Sequence, residues 1–476
     1  SISNSATGDP NGVAFIDDFE GSKRTTSPSI QRRFWKQSSA PNFYDTELNI
    51  FGGEYSQRNR GELFWYNPYI PVRTREIWPN QSTSVQAGNE TTDVLVLRYR
   101  KRSHQKNIAN DSSWVGISTS LYSGDYDQTQ SKFFEIWLKG DEGNLAIDLG
   151  KISEDWDGNG VLNTEDIPEA GLTLGNGFLE DPEDTGLDGK TNSKEPEYDA
   201  VNNRDPNRDD FKIVTGGYLP EHFESINGTQ GNAALSDIGR FPDSEDLNGN
   251  KKLDKINSYF RYEIPLDTTA KNPFLAGGGA IKDDGQKSTW YQFKIPLKDA
   301  TKEIGTPSLS QVEFIRLWVN GSSEEISFQL TEFNLVGNQW QKVVDGTKVK
   351  EDDEVLTVSN VNIEDNPFYY SPPGITREKD RTNPDQDILK NEQSLDLIIN
   401  NLEDGDSRTV VKYLSKGLDI FNYSEMKIFV HGDLDDASSD RISYYINEND
   451  YATDLYFRFG ADSTNYYEYI RPTKAG

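Results

Sequence analysis

The segment that most constrains this chain is residues 155–166, which read DWDGNGVLNTED. Oxygen-bearing side chains occupy positions 1, 3, 5, 9 and 12 of this segment, and glycine occupies position 6. A backbone that winds around Ca²⁺ needs oxygen ligands at this spacing and glycine for the sharp turn. The pattern predicts a calcium loop rather than a solvated acidic loop. Its predicted ligands are Asp155, Asp157, Asn159, Val161, Asn163 and Asp166.

A second segment, residues 246–254, repeats this pattern with weaker ligands. Lys251 replaces glycine at position 6, and Asn257 replaces the acid at position 12. Lower ligand charge predicts weaker calcium binding, and a plain Asx-rich turn is the alternative. A third acidic cluster, residues 183–189, is predicted to add carboxylates to the same region. The ligands predicted in these segments are Asp246, Asn248, Asn250, Lys252 and Asp254, together with Asp184 and Asp188.

The start of the chain holds one more candidate calcium site. Residues 15–21 alternate apolar and acidic side chains. The first strand of a jelly roll can meet its last strand, here residues 331–334. Asp18, Glu20 and Glu332 would then share a structural Ca²⁺. The alternative is an edge strand whose acidic face points to solvent, and the sequence favours neither.

The composition indicates a folded, acidic protein that avoids nucleic acid. The formal net charge is −30, which repels phosphates and anionic lipid but attracts divalent cations. Hydrophobic residues make up 34% and aromatics 12%, and this pairing favours β-rich domains over disorder. Cysteine is absent, which rules out disulfides and thiol chemistry. Calcium loops favour the cell exterior, because weak extracellular sites need roughly millimolar Ca²⁺.

Short β-branched and aromatic runs bounded by turn residues predict an all-β fold. We interpret residues 13–150 and 259–342 as two halves of one antiparallel, jelly-roll-like sandwich. Residues 151–258, dense in Asp, Asn, Gly and Pro, interrupt it as a long calcium-binding loop insertion. Residues 343–392 are a predicted linker. Residues 393–476 are a predicted second, incomplete sandwich, and both chain ends look cut from something longer.

The second sandwich rests on four predicted strands, which are residues 394–399, 409–413, 426–431 and 454–459. All four are short and rich in β-branched or aromatic side chains. No stretch of the chain approaches the ~18 apolar residues that a membrane helix requires.

The sequence predicts no enzyme. His104, His222 and His431 lie in unrelated contexts, and no GxSxG, HExxH or phosphate-cradling glycine loop occurs. Paired carboxylates for glycoside hydrolysis stay open as an alternative, because 79 acids offer many pairs. The aromatic runs 64–69 and 368–370 could stack on sugars, but burial beneath long loops is the favoured interpretation.

Four motifs, in this order along the chain, resemble one known family. Residues 14–22 read AFIDDFEGS, and residues 154–189 run from EDWDGNG to EDTGLDG. Residues 358–378 read VSNVNIEDNPFYYSPPGITRE, and residues 391–412 read NEQSLDLIINNLEDGDSRTVVK. With these motifs the chain resembles an internal portion of the SprA/Sov family, the giant outer-membrane translocon of the type 9 secretion system.

The resemblance implies a location and a set of partners. Family members look like very large transmembrane β-barrels with folded extracellular insertions, associated with protein transport and gliding motility. This chain would be a non-catalytic cap segment at the extracellular face of the outer membrane, stabilised by calcium. Its partners would be the rest of its own β-barrel chain, secreted client proteins, and accessory outer-membrane proteins and lipoproteins. The alternative is a calcium-stabilised carbohydrate-binding module of a secreted polysaccharide-degrading protein.

Overall fold

Antiparallel β-strands dominate the chain in a computed structural model. The structure describes residues 23–41, 44, 45, 50, 51, 59–79, 90–101, 113–140, 143–168, 175–207, 209–211, 235, 236, 239–268, 272–282, 284–320, 325–338, 340–343, 356–364, 369–372, 377, 389, 391–399, 405–414, 425–432, 454–462 and 464–473. The chain divides into two units, residues 1–370 with 377–409 and residues 371–376 with 410–476.

The strands of the first unit are short and numerous. In chain order they are β1 (Lys23–Thr26), β2 (Lys36–Gln37), β3 (Tyr44–Asp45), β4 (Ile50–Phe51), β5 (Glu62–Tyr66), β6 (Val72–Arg73), β7 (Thr91–Thr92), β8 (Leu95–Arg100), β9 (Trp114–Ser120), β10 (Ser131–Lys139), β11 (Asn144–Lys151), β12 (Leu235–Ser236), β13 (Gly239–Arg240), β14 (Ser258–Pro265), β15 (Leu275–Gly278), β16 (Tyr291–Pro296), β17 (Lys302–Ile304), β18 (Phe314–Asn320), β19 (Ile326–Asn338), β20 (Gln341–Lys342), β21 (Leu356–Asn362) and β22 (Gln393–Ile399). One short α-helix, α1 (Thr74–Ile77), follows β6, and 3₁₀ turns occupy Arg32–Phe34, Ser123–Asp125, Asn192–Lys194 and Leu309–Gln311.

Two large sheets face each other in this unit. One has the order β15-β16-β10-β19-β8-β5, with β1 beside the end of β19, and the other has the order β17-β14-β11-β18-β9-β2. A shared apolar core draws on both sheets. In β11, for example, Leu145, Ile147 and Leu149 enter that core, while Ala146 and Asp148 point to the opposite face. The predicted all-β class and antiparallel sandwich are confirmed.

The acidic insertion leaves the sandwich through a hairpin. Strands β11 and β14 are neighbours and pair antiparallel, from Asn144 opposite Pro265 to Lys151 opposite Ser258. Residues 152–257 therefore occupy the place of a hairpin turn. The β11–β14 ladder therefore holds the two ends of the insertion next to each other, on neighbouring strands of the six-stranded sheet.

The outer face of the six-stranded sheet buries an ion cluster. Asp148 accepts hydrogen bonds from Nε of Arg261 and Nε of Arg316, both at 2.8 Å, and all three side chains are almost fully buried. Burial alone would raise the pKa of Asp148, but the two guanidinium charges outweigh it and hold the pKa below its usual value. Backbone carbonyls of Ser39 and Pro41 accept further bonds from the guanidinium groups, so the N-terminal segment covers this face.

The stretch interpreted as a linker contains a paired strand. Strand β21 forms a continuous antiparallel ladder with β22, from Leu356 opposite Ile399 to Asn362 opposite Gln393. The stretch between the two strands contains several prolines, which hide the pairing in the sequence. The domain boundaries given above stay a prediction.

The second unit contains strands β23 (Val410–Val411), β24 (Asp454–Gly460) and β25 (Tyr466–Pro472). The last two form a hairpin in which Asp454 lies opposite Pro472 and Gly460 opposite Tyr466. Residues 426–431, expected as a strand, have no regular secondary structure. Among the residues that the structure describes, none belongs to a helix of the length and apolarity that crossing a membrane requires.

A first prediction concerns the buried ion cluster. Asp148→Asn leaves two desolvated guanidinium groups without their carboxylate, so we expect a loss of about 3–5 kcal/mol in the free energy of unfolding. Urea denaturation of the two proteins measures it. The control is Glu263→Gln on the same sheet, which removes an exposed pair with Lys302 and should cost less than about 1 kcal/mol. Equal effects of the two substitutions would contradict the structural role given to Asp148.

Candidate metal centre

The loop at residues 155–163 is wound by its own side-chain oxygens. Asp155 accepts the N–H of Gly160 at 3.0 Å, Asp157 that of Asn159 at 3.0 Å, and Asn159 that of Val161 at 2.6 Å. Gly160 has a φ of +77°, the left-handed conformation that the turn requires. Each oxygen-bearing side chain thus satisfies a backbone donor that an irregular loop would otherwise leave unpaired.

The loop at residues 246–254 repeats these bonds residue for residue. Asp246 accepts the N–H of Lys251 at 2.7 Å, Asn248 that of Asn250 at 3.0 Å, and Asn250 that of Lys252 at 2.7 Å. Lys251 has a φ of +62° where the first loop has glycine. The two loops are therefore structural equivalents, and the second one accepts a strained lysine at the turn.

Two buried glutamates join the loops reciprocally. Glu245, which precedes the second loop, accepts the N–H groups of Trp156 at 2.6 Å and Asn163 at 2.8 Å. Glu154, which precedes the first loop, accepts those of Leu247 at 2.8 Å and Asp254 at 3.0 Å.

These bonded amides stand at positions 2 and 9 of each loop. The main chain completes the symmetry, because each glutamate donates its own N–H to the carbonyl at position 9 of the other loop. Each loop is therefore held by the residue that introduces its partner.

The position-2 residues attach this pair of loops to the sandwich. Trp156 is buried, and its carbonyl accepts a bond from Arg60 at 3.0 Å. The Arg60 guanidinium lies between two indole rings, 4.8 Å from the centre of Trp156 and 4.6 Å from that of Trp114. Leu247 packs against a small apolar cluster at the edge of the six-stranded sheet, and Ser120 donates to its carbonyl at 2.9 Å.

One group of acids in these loops has the geometry of a cation site. Carboxylate oxygens of Asp155, Asp157 and Glu245 all lie within 4.8 Å of one another. Oδ1 of Asp155 is buried and has no described hydrogen-bond partner. Burial and the charges of Asp157 and Asp155 raise the pKa of Glu245 to about 7, although two backbone N–H bonds lower it. Hard carboxylate oxygens at this separation suit Ca²⁺.

The other predicted ligands of the first loop are placed differently. Asn163 lies next to the acids and donates from its side chain to Glu245 at 3.3 Å. Val161 is exposed, and its N–H is used within the loop. Asp166 turns away, because both of its carboxylate oxygens accept the N–H of Gly177 at 3.1 Å. Glu245, which the spacing did not indicate, stands in the group instead.

The second loop closes on itself. Asp254 accepts side-chain amide bonds from Asn248 at 2.9 Å and Asn250 at 3.0 Å. Asp246 holds the backbone at Lys251, and the N–H of Lys252 is used within the loop. Among the described residues the structure does not gather three acids here, in keeping with the lower ligand charge of this segment.

The third predicted cluster is engaged with its surroundings. Asp184 accepts the N–H of Phe211 at 2.9 Å, and Asp188 pairs with Lys190 at 2.8 Å. Another buried glutamate, Glu165, accepts N–H groups of Gly186 and Asp243, both at 2.8 Å. Burial and the charge of Asp243 raise the pKa of Glu165 to about 8. Glu165 thus does for this part of the insertion what Glu154 and Glu245 do for the loops.

The remaining predicted ligands, Asp18, Glu20 and Glu332, fall outside residues 151–258 of the sequence. Glu332 is an exposed residue of β19 with a φ of +45°, at a register shift between β10 and β19. Asp18 and Glu20 fall outside the described residues, so the site proposed for these three acids stays a prediction. Of the aromatic runs, Trp65 and Tyr66 are buried, as the favoured interpretation expected, whereas Tyr69 and Tyr370 are 47% and 82% exposed, against that interpretation.

A family model described as motility related/secretion protein, SprA_N, matches residues 195–475. The chain belongs to this family. The resemblance to SprA/Sov proteins is thereby confirmed, and the description gives the chain a secretion- or motility-related role at the cell envelope or surface. No curated protein matches the chain. The SprA_N match includes the second loop and begins after the first.

Because each glutamate holds the loop that the other one precedes, substituting one of them should loosen the loop of the other. Glu154→Ala should loosen the second loop, because the N–H groups of Leu247 and Asp254 lose their acceptor. Glu245→Ala should loosen the first. We expect each variant to lose about 2–3 kcal/mol in the free energy of unfolding and to be cleaved sooner in limited proteolysis. New cuts should fall at residues 246–254 in Glu154→Ala and at residues 155–163 in Glu245→Ala.

Mass spectrometry of the fragments locates the cuts. Glu303→Ala, an exposed change on β17, is the control and should leave the cleavage pattern unchanged. Cuts confined to residues 155–163 in Glu154→Ala and to residues 246–254 in Glu245→Ala would contradict the reciprocal arrangement.

Proposed function

We propose that this chain is a non-catalytic, extracellular cap segment of an outer-membrane protein-secretion translocon of type 9, stiffened by calcium and associated with gliding motility. The observation that carries the proposal is the SprA_N match over residues 195–475, since that family is described by secretion and motility. Its partners are then the rest of its own barrel chain, secreted client proteins, and accessory outer-membrane proteins and lipoproteins.

A non-catalytic role agrees with how the buried acids of the insertion are used. Glu154, Glu165 and Glu245 each accept two or more backbone N–H groups of the same chain. Carboxylates bonded in this way hold loops together, which is a structural use of the buried acids. The formal net charge of −30 also disfavours nucleic acid as a partner.

Calcium is the part of the proposal that the loop geometry supports. Asp155, Asp157 and Glu245 bring three carboxylates together, and repulsion among them favours a bound divalent cation. A metal that binds only the folded loops stabilises them by mass action, by about 2.7 kcal/mol when free Ca²⁺ exceeds the dissociation constant about 100-fold.

Calcium removal tests this part. Chelator should lower the melting temperature and speed proteolysis between residues 151 and 258. The double variant Asp157→Ala, Asn159→Ala should respond less to added Ca²⁺ than the parent. The control is Asp284→Ala, in an exposed turn where the carboxylate accepts the N–H of Gln286 at 2.9 Å, and it should respond as the parent does. Identical melting with and without chelator would reject calcium stabilisation.

The location can be tested with engineered thiols, because the chain has no cysteine. Tyr122→Cys stands at a 77% exposed position, whereas Val115→Cys stands at a 2% exposed one. On intact cells that produce the full-length protein, a membrane-impermeant maleimide should label the Tyr122 variant and spare the Val115 variant and the parent. Labelling that requires a permeabilised outer membrane would place the segment inside the cell envelope and overturn the extracellular assignment.

A further inference from the structure

We propose that Glu195, Asp205 and Asp209 form a second, buried Ca²⁺ site, separate from the loop pair. Their carboxylate oxygens lie within 4.8 Å of one another, and all three side chains are at least nine-tenths buried. Ligands on opposite sides of one Ca²⁺ stand at most about 5 Å apart, given its bond lengths to oxygen. The three oxygens are therefore close enough to share one ion.

Unpartnered oxygens point to a ligand in this group. Asp209 is 1% exposed, and neither of its carboxylate oxygens has a described hydrogen-bond partner. Glu195 is 5% exposed, and its Oε1 is likewise without one, while Oε2 accepts the N–H of Asn207 at 3.1 Å. A desolvated carboxylate without a donor is costly, and a cation is the partner that serves several of them at once.

The negative charges of neighbouring acids strengthen the need of these carboxylates for a cation. Burial first, and then the negative charges of Glu195, Asp205, Asp188 and Asp210, together raise the pKa of Asp209 to about 9. Burial also raises the pKa of Glu195 to about 7. A divalent ion at this point offsets the concentration of buried negative charge.

The local backbone repeats the design of the two loops. Asp205, Asn207 and Asp209 stand at alternate positions, as the first three ligands of the other segments do. The N–H of Asp209 donates to Asp205 at 3.2 Å, just as the N–H of Asn250 donates to Asp246 at 3.1 Å. Glu195 supplies a carboxylate from outside the Asp205–Asp209 segment, as Glu245 does for the first loop.

A glycine leaves room for the group. A Cβ at Gly186 would lie 2.3 Å from Oδ2 of Asp209, closer than real atoms approach. Gly186 also has a φ of +63°, and its N–H is held by Glu165 at 2.8 Å. The chain is thus shaped so that the Asp209 carboxylate fits. Because the donors are all hard oxygens, the ion assigned is Ca²⁺ rather than a transition metal.

The experiment counts bound Ca²⁺ on the full chain by equilibrium dialysis after chelator treatment. Asp209→Asn should bind one ion fewer per chain than the parent, and its melting temperature should rise less on Ca²⁺ addition. The control is Asp210→Asn on the neighbouring residue, whose carboxylate holds the side-chain amide of Asn192 at 2.8 Å, and it should keep the ion. The Asp157→Ala, Asn159→Ala variant should lose a different ion, so combining it with Asp209→Asn should remove both.

An unchanged ion count in a folded Asp209→Asn variant would overturn the site, and it would leave both the loop-pair calcium and the secretion role untouched. If that variant does not fold, crystals of the parent grown with Ca²⁺ decide the matter. Anomalous density between Glu195, Asp205 and Asp209 supports the proposal, and its absence refutes it. Binding of Mg²⁺ that Ca²⁺ fails to displace would refute the identity of the ion.

Discussion

The acidic insertion depends on one interaction, the acceptance of backbone N–H groups by buried glutamates. Most described residues between 152 and 257 lie outside the short β12–β13 ladder, and buried amides without acceptors are costly. Glu154 and Glu245 meet this need at positions 2 and 9 of each other's loop, and Glu165 meets it further along. The contacts of Glu154 and Glu245 join segments far apart in sequence, so these side chains order described parts of the insertion that no β-ladder pairs.

Burying these glutamates without a cationic side chain carries an electrostatic cost that the buried acid of the sandwich does not share. In the sandwich, the buried carboxylate of Asp148 has two guanidinium partners, which hold its pKa low. In the insertion, burial above all, with a contribution from neighbouring acids, raises the pKa of Glu154 and Glu245 to about 7, although backbone N–H bonds lower it. The protein thus neutralises buried negative charge in two different ways. Arginine neutralises it in the sheet, and backbone dipoles with the proposed cations neutralise it in the loops.

The local features of this molecule were accessible from sequence, and the non-local ones were not. Alternation predicted strands such as β18, and Asx spacing predicted the loop at residues 155–163, because both are periodic over a few residues. The spacing placed an acid at position 12, whereas Asp166 binds Gly177 and Glu245 enters from a distant segment. One signal was present in the sequence, since Ser-Glu-Asp opens both loops at residues 153–155 and 244–246. Pairing of β21 with β22 was hidden for the same reason, because ladder partners are chosen by packing and not by local pattern.

The sandwich and the acidic insertion are stabilised by different interactions, so they respond differently to their surroundings. A core of buried Leu, Ile and Phe offers no ligand to Ca²⁺, so the stability of the sandwich core does not depend on Ca²⁺ binding. If the proposed ions bind, the insertion gains stability in proportion to the logarithm of Ca²⁺ activity. Such a segment is loosest where calcium is scarce and most rigid outside the cell, while the β11–β14 ladder keeps its two ends fixed throughout.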